Sequence, residues 1–150
     1  MSIAVGQEAP DFTLKNQDEQ EWKLSDQRGK NVVLLWYPLD WSPTCTNENC
    51  KLSTEPVLSG DDTLVVGISR DSTWSHKAYK QHNNISHDLL ADPMLEVTKL
   101  YGLEHPAVPF ISHRATVIVD KQGKVAFCQV QEKTGDERDW APIQEALAKL

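Results

Sequence analysis

Three runs along the chain are apolar at nearly every position: residues 32–37, 64–68 and 115–119. Val, Ile and Leu dominate them, and alternation is missing. That is the pattern of a short strand whose sheet is covered on both faces. A fourth run, 125–130, follows Asp120, Lys121, Gln122 and Gly123. That turn chemistry predicts a hairpin between the third run and the fourth. Nearer the front, residues 11–14 and 21–24 predict a smaller hairpin.

Between these runs the signals turn helical. Asp92 followed by Pro93 predicts an N-cap and a first helical residue, with Gly102 closing that helix about two turns later. Residues 75–82 predict another helix, and 138–150 a C-terminal one. Strands alternating with helices, then a hairpin and a helix, predict an α/β layered domain. The order is compatible with a thioredoxin-like fold, though pattern alone does not select it over other α/β sandwiches. No repeat or linker interrupts the chain, so residues 1–150 are expected to form one domain.

The segment 38–50 carries the candidate chemistry. Ser42 predicts a helix N-cap, Pro43 the first helical position, Glu48 an acid in the early turns, and Pro56 the helix end. Cys45 then falls in the first helical turn, at the carboxyl end of a parallel strand, where open α/β sheets place their ligands. A helix start offers unpaired N–H groups and a positive dipole end, which favour the thiolate that does nucleophilic work. The alternative is that Cys45 is a small buried apolar residue.

Composition narrows the setting. Hydrophobic residues make up 39% and charged residues 25%, the balance of a globular protein. A net charge of -7 without a Lys/Arg run argues against nucleic acid or an anionic membrane as partner. No apolar stretch approaches the roughly 20 residues that span a bilayer. Residues 1–10 lack the basic start and apolar core of a secretory signal. A cytoplasmic location is therefore expected, where thiols stay reduced. The 3 cysteines make a poor disulfide framework, and the close pair Cys45 and Cys50 points to redox chemistry or metal before a structural bridge.

Proline, three residues, serine or threonine, two residues and cysteine is a pattern met by Pro38, Ser42 and Cys45. It resembles the active-site signature of the peroxiredoxins. The resemblance runs on through residues 9–14 and 24–33, Gly67 to Ser69, residues 89–92, Tyr101, Gly102, Arg114, Thr116 and the turn after Val119. It implies a thioredoxin-like fold of the peroxiredoxin type, a central sheet flanked by helices. Cys45 would be the peroxidatic cysteine, shielded by Pro38. Ser42, Thr44 and Arg114 would contact the peroxide, and Glu48 would orient Arg114. Physics agrees on the arginine, which keeps its charge and stabilises both a thiolate and a departing oxygen. Ser42 replaces the commoner threonine, keeping the hydroxyl but losing the methyl that fixes its rotamer. From the residues alone, a plain N-cap, a surface ion pair and a solvated charge remain open for Ser42, Arg114 and Glu48. No cofactor or metal is implied. The implied partners are a peroxide and thioredoxin or a similar thiol reductant, with the chain a monomer or homodimer.

Cys50 stands five residues after Cys45, a spacing that resembles the bacterioferritin comigratory protein (PrxQ) branch, where that cysteine resolves the sulfenic acid. Residues 29–35 and 134–139 instead resemble the one-cysteine alkyl hydroperoxide reductase E branch. The expectation is a Cys45–Cys50 disulfide. The alternatives are a one-cysteine enzyme resolved by an external thiol and a Sco-like copper module, whose cysteine pair is spaced more closely. On an ideal helix, positions five apart lie roughly 8.5 Å from Cα to Cα. A disulfide wants less than about 7 Å, so the helix would have to unwind. Leu52 is the one apolar residue besides the cysteines between Thr44 and Glu55, so little apolar burial is expected to oppose that. Cys128, inside a predicted strand, reads as a packed structural thiol. The 5 histidines are dispersed in polar surroundings and none is expected to act as a base. His113 adjoins Arg114 and could bring a pH-dependent charge near the thiol.

Overall fold

The computed structural model describes residues 3–55, 57–58 and 60–150. Its front half holds β1 (Thr13–Lys15), β2 (Glu21–Lys23), β3 (Asn31–Trp36), α1 (Pro43–Thr54), β4 (Thr63–Ser69) and α2 (Thr73–Asn83). The back half holds β5 (Asp88–Ala91), α3 (Glu96–Leu100), β6 (Ala115–Val119), β7 (Val125–Val130) and α4 (Trp140–Ala148). The strands make one mixed sheet in the order β2-β1-β5-β4-β3-β6-β7.

The three unbroken apolar runs become β3, β4 and β6, the middle of that sheet. All six residues of β3 are buried, as are all five of β6. β3 runs parallel to β4, with Trp36 opposite Ile68, and antiparallel to β6, with Leu34 opposite Val117. The period of two then sorts side chains by face. Val32, Leu34 and Trp36 join Val97 and Tyr101, at and just after α3, with Phe12 and Trp22 from the front of the chain. Val33 and Leu35 face the other way, onto Ile143 of α4, with Leu52 of α1 against the same cluster. Tyr37 and Leu89 close a smaller cluster with Cys45 and Tyr79, so the thiol sits under the edge where β3 ends. Each such fully buried side chain contributes about 1.5–3 kcal/mol, which makes β3 the strand the layers depend on. Among the described residues, no helix is long and apolar enough to cross a membrane.

The β6–β7 hairpin forms at the predicted turn, with a register shift beside Val119. The front hairpin forms too, its first strand starting two residues later than predicted and its second where predicted, with Leu14 opposite Trp22. β5 is the element the apolar pattern did not single out. It has only Asp88, Leu89, Leu90 and Ala91, too short a run to separate from a loop, yet it pairs parallel to β4 and joins the front hairpin through Ala91 and Lys15.

The helix predicted from Asp92 begins at Glu96 instead. The Asp92 N–H donates to Ser69 O (2.8 Å), which extends the sheet. A turn with Leu95 left-handed follows (φ 57) before the helix can start. Asp92 still caps it from a distance, its carboxylate accepting the Thr98 N–H at 2.8 Å. α2 starts at Thr73, ahead of the predicted 75, because Ser72 caps it through the Ser75 N–H (3.1 Å). α4 begins after Asp139, which caps Ala141, and so Arg138 lies outside the helix predicted to contain it. Pro56, predicted to end α1, falls outside the described residues.

Gly67 of β4 lies where strand and site meet. A Cβ there would sit 2.9 Å from Leu89 Cδ2 and 3.0 Å from Tyr37 Cε1. Overpacking of that kind costs about 1–3 kcal/mol. The backbone entropy gained by replacing glycine inside a strand returns at most about 1 kcal/mol. Gly67→Ala should therefore lower stability in urea denaturation. An unchanged midpoint would mean that Tyr37 and Leu89 part freely at this point.

Candidate functional site

α1 opens on Pro43, which has no N–H to leave unpaired, and Cys45 is its third residue. The Cys45 side chain is wholly buried. Ser42 occupies the N-cap position, but its hydroxyl donates to Leu39 O (3.2 Å) instead of capping the helix. The plain N-cap reading therefore fails, and the first turn keeps its positive end uncapped beside the thiol. Thr44 Oγ1 donates to Gly135 O (2.9 Å), tying the helix start to the chain beyond β7. Glu48 is in the second turn, not the first, one turn beyond Cys45 on the same side.

Arg114 comes from the residue before β6 and is 1% exposed, so it is no surface ion pair. Its Nη2 donates to Cys45 Sγ at 3.2 Å. Nε and Nη2 also donate to Thr134 O, at 3.0 and 2.9 Å. Nη1 pairs closely with Glu48 Oε1. Glu48, 2% exposed, is no solvated charge either. Its Oε2 accepts from the backbone N–H of Arg138 (2.7 Å) and from Arg138 Nε (3.2 Å). Burial pushes Arg114 down, but Glu48 and Cys45 outweigh that and hold its guanidinium above the ordinary arginine value. Burial keeps Arg138 below its ordinary value, with Glu48 pulling the other way. Two guanidinium groups face one carboxylate, with the Cys45 sulfur beside the nearer of them.

Arg138 is the residue that sequence reasoning missed. Its remaining donors go to Trp36 O (2.8 Å), Ala115 O (2.9 Å) and Thr116 Oγ1 (3.0 Å), linking the ends of β3 and β6. A lone arginine among Asp136, Glu137 and Asp139 carries no sequence signal for a buried role.

Pro38, Ser42, Pro43, Thr44, Arg114, Thr134 and Gly135 line an open hollow of about 250 Å³. That is ample for a peroxide group, since a water takes about 30 Å³. A larger hollow of about 390 Å³ near Asn31, Thr63 and Gln144 has no thiol, histidine or arginine among the described residues that line it.

Cys50 is half-buried on the same helix as Cys45, its Sγ 3.9 Å from Asn83 O. Apolar burial over α1 is slight, as expected, but the helix is not loosely held. Asn49 is buried, donates to Tyr79 Oη (3.2 Å) and accepts from His87 Nε2 (2.9 Å). Tyr79 donates to Thr46 Oγ1 (3.1 Å), and Ser53 Oγ accepts the Ser86 N–H (3.0 Å). Burial, with Lys80 and Arg138 nearby, keeps His87 well below its usual pKa, so this tether is uncharged. Cys128 is half-buried against the core, where burial pushes its thiol pKa up. His113 meets His105, with ring centroids 5.1 Å apart, and burial beside that neighbour lowers its pKa. That direction disfavours a charge on His113 beside Arg114. His76, expected in polar surroundings, is wholly buried against the polar side chain of Asp40.

The chain matches the model of the AhpC/TSA family over residues 5–128. It is 33% identical over 135 residues to peroxiredoxin Bcp of Bacillus subtilis, covering 83% of each chain. It is 33% identical over 152 residues to alkyl hydroperoxide reductase E of Mycobacterium tuberculosis, covering 99% of this chain and 98% of that relative. Among solved structures, a peroxiredoxin-like protein from Aquifex aeolicus shares the fold with a TM-score of 0.90 at 24% identity, covering 99% of this chain and 88% of that one. With a thiol, a guanidinium and a carboxylate in one buried line at the end of β3, and with these relatives, the chain belongs to the AhpC/TSA family and is a peroxiredoxin.

Proposed function

We propose that this peroxiredoxin is a thiol-dependent peroxidase that reduces hydrogen peroxide and organic hydroperoxides, with Cys45 as the attacking thiol. The observation that carries the reading is the 3.2 Å contact from Arg114 Nη2 to Cys45 Sγ beside an open hollow. In the reaction the Cys45 thiolate attacks the hydroxyl oxygen of the peroxide and the O–O bond breaks. The sulfur becomes a sulfenic acid, and the departing alkoxide or hydroxide takes a proton from solvent. Arg114 holds the thiolate before attack and donates to the oxygens as charge moves onto them. Ser42 and Thr44 flank that oxygen pair, and Pro38 walls it from solvent. Glu48 orients Arg114, and Arg138 orients Glu48.

Cys50 then attacks the sulfenic sulfur, releasing water and forming a Cys45–Cys50 disulfide. Thioredoxin or a similar dithiol in a reducing cytoplasm returns both to thiols. Residues 1–150 act as one domain, as a monomer or homodimer. A second reading, a one-cysteine enzyme resolved by an external thiol, is favoured by the polar tethers on α1, which oppose the unwinding that a Cys45–Cys50 bond needs.

Cys45→Ser should abolish peroxide consumption, while Cys128→Ser should leave it nearly intact. Substantial turnover by the Cys45 variant would end the assignment.

Arg114→Ala should slow peroxide reduction by about two orders of magnitude or more in stopped-flow measurements, as losing one donor to a developing oxyanion does. Arg114→Lys should recover only part of the loss, because a point charge cannot fork onto two oxygens. A wild-type rate in Arg114→Ala would remove the arginine from the chemistry.

Peptide mapping after one equivalent of peroxide should recover a Cys45–Cys50 bond. Cys50→Ser should consume one equivalent, stall as the sulfenic acid and overoxidise readily. Cys45 joined to Cys128, to another chain or to nothing would favour the one-cysteine reading.

A further inference from the structure

The loop that leads from β3 into α1 is fastened by a group the peroxidase reading does not use. Asp40 lies five residues before Cys45, and neither its side chain nor that of His76 reaches solvent. Asp40 Oδ1 accepts from the Tyr37 hydroxyl at 2.6 Å. Its Oδ2 accepts from Ser75 Oγ at 2.9 Å and faces His76 Nδ1 at 2.8 Å. The Asp40 N–H donates to Asp71 Oδ2 (2.8 Å), a carboxylate held in turn by the Ser69 hydroxyl (2.7 Å). On the far side of the ring, His76 Nε2 meets Leu90 O of β5 at 3.0 Å.

The chemistry of these partners sets the protons. A main-chain carbonyl only accepts, so Nε2 carries a hydrogen. Burial, with Asp40 beside it, pushes the Tyr37 hydroxyl well above the usual tyrosine range, so it keeps its hydrogen and donates. One proton then remains between Nδ1 and Oδ2, and the pair is neutral overall whichever atom holds it. A buried polar group this fully partnered has one arrangement, and that rigidity passes to the backbone carrying it.

The next residue shows what the rigidity is needed for. Trp41 is held in the left-handed region (φ 72), although it is no glycine. Its half-exposed indole meets the ring of Tyr79, with centroids 5.2 Å apart. Such a backbone state is costly and persists only where its surroundings over-determine it. Directly after it, Ser42 donates to Leu39 O (3.2 Å) and accepts the first α1 bond from the Thr46 N–H (2.9 Å). The left-handed step is thus clamped between Asp40 and Ser42.

We propose that the buried Asp40–His76 pair is a positioning device, anchoring the loop 37–42 to α2 and β5 so that Pro38 and Ser42 keep their places beside Cys45. This rests on the peroxidase reading above. Asp40 and His76 touch neither the thiol nor Arg114, so they act through the loop. Loosening the loop should spoil the approach of the peroxide and leave the thiolate itself unaltered. Misplacement by about 1 Å from a remote change commonly costs up to about a hundredfold in rate.

The test is the stopped-flow rate of Cys45 oxidation by hydrogen peroxide, measured beside the ultraviolet titration of the Cys45 thiolate. Asp40→Asn and His76→Leu should slow oxidation by about ten- to a hundredfold, with the thiolate titration unchanged. His76→Asn, which keeps a donor for Asp40 but cannot reach Leu90, should recover part of the rate. Ser75→Ala removes a single bond to Asp40 and carries the test, with a smaller fall in rate, if the stronger variants fail to fold. Folded variants reacting at the wild-type rate overturn the positioning role while leaving the peroxidase reading intact. A thiolate titration that moves with the rate overturns it as well, because the pair would then act on the charge of the sulfur. A wild type that does not react with peroxide overturns both.

Discussion

Glu48 is a carboxylate with almost no access to water, and an ion in that position survives only if both oxygens are matched. Arg114 takes one oxygen; the backbone and guanidinium of Arg138 take the other. Each arginine sends its spare donors to main-chain carbonyls, Thr134 for one and Trp36 with Ala115 for the other. The end of β3, the second turn of α1, the start of β6 and the chain beyond β7 are thereby held to one point. Removing one partner from a buried group of this kind leaves an uncompensated charge, at a cost of about 3–5 kcal/mol. The same group brings a guanidinium to the Cys45 sulfur, so the interaction that joins the layers also prepares the site.

In the proposed reaction, the helix that carries both cysteines serves two opposed demands. Peroxide attack needs Cys45 fixed against Arg114, whereas a Cys45–Cys50 bond needs the turns between them undone. The tethers on the second half of α1 are neutral hydrogen bonds through Asn49, Tyr79, His87 and Ser53. Each contributes a net of about 0.5–1.5 kcal/mol, so the sum is a few kcal/mol. That lies within the range of local opening in folded proteins. The two halves of one helix differ in how they are fastened: ions near Cys45, neutral polar groups around Cys50.

Much of this was legible in residue order. The apolar runs marked the central strands because strands buried on both faces need apolar side chains at every position, and that requirement is local. Pro43 after Ser42 marked the start of α1, because a missing N–H and a preset φ suit the first helical position wherever it occurs. The Pro38, Ser42 and Cys45 spacing carried the family resemblance, and the matched relatives bear it out. The details of capping did not follow, since Ser42 turns its hydroxyl to Leu39 and Asp92 caps a helix that begins four residues later.

What only the tertiary structure decided is where distant groups meet. β5 is too short to announce itself and exists because β4 and Lys15 offer it partners. Arg138 reaches Glu48 across 90 positions of chain, and His76 reaches Asp40 across 36. Neither pairing leaves a local trace, because a charged side chain looks the same in sequence whether solvent or another residue neutralises it. Periodicity and capping are set within a few residues and can be read there. Ion pairs between remote segments come into being only when the sheet brings their backbones together.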